Sequence, residues 1–265
     1  MRKGKIKDFL SAAKEETTDI FLSSDVLPGI IQSVGETVVS EGTAMIIGEV
    51  AGAVIPGING IILSYKQKRF ERHIEQALNI LSKRIDVLEK NYASLSGENQ
   101  LKFRTLYLEW LLDNIQVEKQ TEKIPCHVNG YINLMSDEVN DNLMLMFFNT
   151  VNELTQLDID VLKMYSVDGG DNIYALCEKY NLQPEQIMVI KEKLARLGLL
   201  QSKNDELRDA NLDYVVDYLI DVDSENKKKN PRSVPLHKTK IKKIKRADTF
   251  HITGLGQSYL RIISE

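Results

Sequence analysis

Cysteine is scarce in this chain: of 265 residues only Cys126 and Cys177 carry thiols, and neither has a partner at metal-ligand or redox-motif spacing. Both read as small residues of apolar helix faces. The four histidines, His73, His127, His237 and His251, sit in separate segments with no cysteine or carboxylate at ligand spacing, which argues against a metal site. A Walker-type phosphate loop, a nucleophile elbow and a dinucleotide fingerprint are missing too, so the sequence points to no enzyme and no cofactor. The carboxylates at Asp158–Asp160 and Asp217–Asp223 read as helix starts and a solvated face rather than a catalytic pair. With a net charge of -4, the chain as a whole has no attraction for nucleic acid or anionic lipid, and any such binding must come from a local patch.

What the chain does have is the composition of a folded protein, 43% hydrophobic against 27% charged. Arg2, Lys3, Lys5 and Lys7 look like the start of a secretory leader, but Lys14, Glu15, Glu16 and Asp19 interrupt its apolar run, and the expectation is a cytoplasmic chain. Residues 42–64 read GTAMIIGEVAGAVIPGINGIILS, a stretch of transmembrane length whose one ionisable residue is Glu49. Ala44, Gly48, Gly52, Pro56 and Gly60 recur every fourth residue, a small-residue face suited to helix packing in a membrane. Against a permanent span stand Pro56-Gly57, which would split it, and Glu49, whose unpaired burial would cost roughly 2.5 to 3.5 kcal/mol. A conditional membrane contact and a soluble helical hairpin both fit. Lys66, Lys68, Arg69 and Arg72 follow the segment and would stay on the cytoplasmic side of any span.

Ile74, Leu78, Leu81, Ile85, Leu88 and Tyr92 are spaced by fours and threes among polar residues, which predicts one heptad helix over 65–92 with a narrow buried seam. The seam pairs within the chain or with a second subunit. A second helix over 98–122, with Leu101, Leu108, Leu112 and Ile115 on one side, is placed to fold back on it. Shorter helices follow at 126–135 and 142–154, the latter rich in Met and Phe.

From residue 154 the order is a capped helix, a short helix after the 168–171 turn, a helix opened by Pro184 and closed by Gly198, and an apolar strand at Leu199-Leu200. A closing strand and helix, TFHITGLGQSYLRIISE, come only after an insertion over 201–249. That order, with LARLGLL and ITGLGQSYL, resembles a winged helix-turn-helix domain over 154–265, preceded by a helical region over 1–153. The fold expected is therefore mainly α, with a small β-wing. The third helix carries Lys191, Lys193 and Arg196 as candidate phosphate contacts, but Glu185 and Glu192 share its polar face, which disfavours duplex reading. The insertion is acidic and amphipathic in its first half and basic in its second. Lys227, Lys228, Lys229, Arg232, Lys238, Lys240, Lys242, Lys243, Lys245 and Arg246 form a candidate surface for phosphate backbones or anionic lipid. No aromatic residue occurs in the arm before Phe250, so it lacks a stacking platform for single strands.

The VGETVVSEG-type glycine segment, the heptad helix and the ITGLGQSYL ending together resemble the abortive-infection alpha proteins of bacteria and their prophages; the long basic insertion departs from that pattern. The resemblance implies a non-enzymatic defence protein in which the winged helix senses a protein partner, phage-derived, and the apolar segment acts as a conditional membrane effector. Two other readings stay open: a DNA-binding regulator that dimerises through the heptad seam, and a helical adaptor with a soluble core.

Overall fold

In a computed structural model the chain is described over residues 58–166, 170–237 and 241–265. These residues are mainly helical, with one two-stranded antiparallel sheet, and they divide into two compact units. The first holds the described residues up to Gln156 and the last turn, Arg261–Glu265; the second lies within Leu157–Leu260. Of the apolar segment, only the start of a helix falls within the described residues; Gly48, Glu49, Gly52 and Pro56 lie outside them and Gly60 sits in the first turn of α1.

The first unit contains α1 (Ile58–Lys83), α2 (Ile85–Ala93), α3 (Gly97–Arg104), α4 (Leu106–Val117), a 3-10 turn (Thr121–Lys123), α5 (Ile124–Asn133) and α6 (Asp141–Glu153). The heptad helix is not continuous. It breaks at Arg84, whose backbone (φ -104°, ψ 15°) leaves the helical region while its guanidinium donates to Asn129 Oδ1 and Asn133 Oδ1 of α5, each at 2.8 Å. The seam survives the break: Ile74, Leu81, Ile85 and Leu88 are buried and Leu78 is half-buried, with α1 packed on α4 and α5. The helix expected over 98–122 is interrupted as well. Thr105 Oγ1 donates back to the Leu101 carbonyl at 2.8 Å, a side-chain bond that competes with the helical ladder and bends it. The turn changes which face is inward, so Leu101 is exposed and Phe103 takes its place in the core.

Around α5 the burial is nearly complete, the pattern of a helix enclosed by its neighbours. Phe103 and Tyr107 meet edge to face at 4.8 Å, and the buried Tyr131 hydroxyl finds the Phe103 carbonyl at 2.6 Å. Burial holds the Tyr131 phenol above its ordinary range. In the Met and Phe segment, Met144, Phe147 and Phe148 turn inward, whereas Leu143, Leu145 and Met146 are exposed.

The second unit is built from α7 (Gln156–Lys163), α8 (Ile173–Tyr180), α9 (Pro184–Arg196), β1 (Leu200–Ser202), α10 (Lys203–Asn226), β2 (Phe250–Ile252) and α11 (Gly254–Ile263), the last running on into the residues counted with the first unit. Local chemistry explains the boundaries. Asn172 caps α8 by accepting from the Tyr174 and Ala175 N–H groups at 3.0 Å. Pro184 opens α9, and Gly198, with φ of 71°, closes it in the left-handed conformation that glycine adopts without strain. The Leu199 N–H then reaches back to the Leu194 carbonyl at 2.9 Å. β1 pairs with β2 in the register Leu200↔Ile252, Gln201↔His251 and Ser202↔Phe250. Thr253 staples the return: its hydroxyl donates to the Gly198 carbonyl at 2.6 Å and accepts from the Gly256 N–H at 2.9 Å, opening α11. Ile159, Leu162, Leu176, Ile187, Leu194, Leu199 and Leu200 form the core of this unit.

Candidate functional site

Asp158 stands in the first turn of α7, as expected of a helix start, but neither acid of this helix faces water. Asp158 and Asp160 are buried, and each receives a lysine from a later helix. Lys193 Nζ of α9 lies 2.6 Å from Asp158 Oδ2, and Lys179 Nζ of α8 lies 2.7 Å from Asp160 Oδ2. The Tyr180 hydroxyl donates to the same Asp160 oxygen at 2.7 Å; burial first, then this bond, pushes its phenol up to about 12. Hydrogen bonding to Asp160 likewise raises the Lys179 ammonium above its ordinary value. These carboxylates therefore bind α7 to α8 and α9.

That arrangement changes what α9 offers outward. Lys193 is committed to Asp158, and Lys191 lies over the Tyr165 ring, 5.7 Å from its centre. Arg196 remains exposed, as do Glu185, Gln186, Glu192 and the apolar Val189. The exposed charges of α9 are thus two carboxylates and one guanidinium.

The insertion is ordered by α10. Ser202 Oγ caps the helix by accepting from the Asp205 N–H at 3.0 Å, and Asp248 accepts from the Asn204 N–H at 3.0 Å and from the Ser202 hydroxyl. The returning basic arm lies against α10 through asparagine side chains. Asn204 Nδ2 donates to the Lys245 carbonyl at 2.9 Å and Asn211 Nδ2 to the Lys242 carbonyl at 2.8 Å, while both amide oxygens accept from the same two residues' N–H groups. Tyr214 adds a hydroxyl that accepts from the His237 N–H at 2.9 Å. These contacts hold the main chain, so the Lys242, Lys243, Lys245 and Arg246 side chains stay exposed. Lys227 pairs with Asp223 and Lys228 with Glu225, Lys229 is exposed, and Lys238 and Lys240 lie outside the described residues.

In sequence, Asn204 and Asn211 carry one available signal, their seven-residue spacing, which puts them on one helix face. The surface left on α10 is legible in the same way, as the tetrads LDYV, VDYL and IDVD over 212–223.

The first unit contains a buried ionic cluster where α4 turns into α5. Glu118 Oε2 lies 2.8 Å from Lys123 Nζ and 3.1 Å from His127 Nε2, while Glu118 Oε1 accepts from the Lys119 and Gln120 N–H groups. Burial would raise this carboxyl, but His127, Lys123 and the Gln120 N–H together hold it down at about 2. Burial also lowers His127, whose Nδ1 has no hydrogen-bond partner among the described residues. His73 touches the Ile115 carbonyl and the Thr121 hydroxyl, each at 3.2 Å. With its polar atoms turned toward one another, the cluster braces the turn. Among the described residues no group of three or more His, Cys, Asp or Glu could hold a metal ion, and no helix is long and apolar enough to cross a membrane. Compared with family models, curated proteins and solved structures, the chain matches none.

Proposed function

We propose that this is a non-enzymatic defence protein of the abortive-infection type. In this reading the second unit is a winged-helix module that senses a protein, and the apolar segment 42–64 is an effector that enters a membrane once the partner is bound. The protein-sensing part is carried by one observation: Lys193, one of the three α9 cations expected to meet a phosphate, is held by Asp158 at 2.6 Å inside the unit's own packing. A helix that reads a duplex keeps its cations for the backbone and its polar side chains for base edges. Here the remaining outward groups include Glu185 and Glu192, which repel phosphate. The effector part draws on the long apolar run, whose one ionisable residue is Glu49, and its small-residue row at Gly48, Gly52, Pro56 and Gly60.

The rival reading, a DNA-binding regulator, draws on the arm, where Lys242, Lys243, Lys245 and Arg246 are exposed on an anchored main chain. The two readings separate in two experiments on the full chain. Duplexes selected from a random pool should bind weakly, without sequence preference and with steep salt dependence. Bacteria expressing the chain should lose membrane potential when challenged with phage, and Gly52→Arg should abolish that loss. A selected duplex bound at nanomolar affinity in physiological salt would overturn the protein-sensing reading, and an unchanged membrane potential would overturn the effector.

A further inference from the structure

Among the described residues, helix α10 displays an apolar ridge that is left exposed. Leu212, Val216 and Ile220 form a row at four-residue spacing, 62%, 45% and 58% exposed, and Val215 and Leu219 form a second row beside it, 37% and 57% exposed. Isolated exposed apolar side chains are common on protein surfaces, but five neighbours on one helix face mark an interaction surface. The flank of α10 beside the Val215–Leu219 row already has an occupant, the arm held by Asn204, Asn211 and Tyr214.

Charge identifies what the ridge receives. Along its other edge runs a third row, Asp209, Asp213, Asp217 and Asp221, again every fourth residue. All four are exposed, and among the described residues none of them is in an ion pair, whereas Asp205 is matched by Arg208 and Asp223 by Lys227. The helix as a whole carries eight carboxylates against two cations. A second copy of α10 packed antiparallel would set this aspartate row against its own image, and like charges in register oppose such pairing. Rows at four-residue spacing interlock with the same rows of another helix at a crossing angle of about -50°.

We infer that α10 is a docking face for an amphipathic helix of another protein, one with an apolar row at four-residue spacing and lysine or arginine along one edge. The apolar rows supply the contact area, and the aspartate row sets the orientation and speeds encounter with a basic partner. This rests on the reading of the second unit as a protein-sensing module, and it names the face and the chemistry of the partner.

The test uses the full chain and two synthetic helical peptides with the same leucine row, one edged with lysine and one with glutamate. The lysine peptide should bind, with affinity falling as salt rises, and the glutamate peptide should bind on the order of tenfold more weakly or worse. Ile220→Asp should abolish binding, and the double change Asp213→Lys with Asp217→Lys should reverse the preference between the peptides. All three exposed positions lie off the unit's core, and circular dichroism of each variant checks that α10 is retained. Failure of both peptides to bind, or equal binding of the two, would overturn the inference. So would sedimentation showing a wild-type dimer that Ile220→Asp dissociates, since the ridge would then belong to a second copy. These failures leave the protein-sensing reading standing, because that reading falls to a different result, the selected high-affinity duplex.

Discussion

Asn211 and the main chain of Lys242 form a closed pair: the side-chain amide donates to the Lys242 carbonyl at 2.8 Å and accepts from its N–H at 2.7 Å. In that geometry an asparagine replaces a neighbouring strand, so the extended arm satisfies backbone groups without joining a sheet. Asn211→Ala should free the arm locally at a cost of about 0.5 to 1.5 kcal/mol, because the released groups are exposed and rehydrate. Hydrogen exchange at the Lys242 amide reads this directly. An exchange rate unchanged by the mutation would mean that the arm is held by something else.

Lys193 should matter to folding more than to nucleic acid. Removing its ammonium leaves the buried Asp158 carboxylate without its closest cation, so Lys193→Ala should destabilise the second unit by about 2 kcal/mol. Arg196→Ala, at an exposed position, should stay within about 0.5 kcal/mol of wild type. Denaturant titration of the two variants separates them. Equal stability would place the Lys193 side chain in solvent and restore it as a phosphate contact.

The seam of α1 gives a packing prediction. Leu81 is buried and Leu78 half-buried, so Leu81→Ala should cost about 2 to 5 kcal/mol and Leu78→Ala less. Because α4 and α5 of the same chain cover the seam, the melting temperature of the wild type should not change with protein concentration. A rise in melting temperature with concentration that Leu81→Ala removes would instead assign the seam to a second subunit.

Acid should unfold the first unit through the Glu118 cluster. The folded carboxyl, at about 2, lies below its ordinary value of 4.5, so its contribution is complete above pH 4.5 and is lost as the pH falls toward 2. His127 acts in the same direction at higher pH. Burial lowers it below 6.5, against the opposing effect of Glu118, so the neutral ring contributes stability above pH 6.5 that is lost as the pH falls through its folded value. Melting temperature followed downward from neutral pH should therefore decline on acidification, and His127→Gln should flatten the upper part of that decline. A wild-type curve level from pH 6.5 to 4.5 would show that His127 does not titrate against folding.

The sequence by itself determined where helices start and stop wherever the signal is local. Asn172, Pro184 and Gly198 act on backbone groups a few residues away, and their effect needs no other part of the chain. The four-residue rows of α10 are equally local, since the geometry of one helix sets which side chains share a face. Only the tertiary structure decided where the long helices break and which charges leave water. The heptad spacing runs unbroken through Arg84, and what interrupts the helix there is accompanied by contacts to Asn129 and Asn133, 45 and 49 residues away. Asp158 reads as the acid of a helix start and stands at one, but its burial is decided by Lys193, 35 residues on, folded against it. A capping bond depends on nearby backbone, whereas the burial of a carboxylate depends on a cation that only the packed chain brings to it.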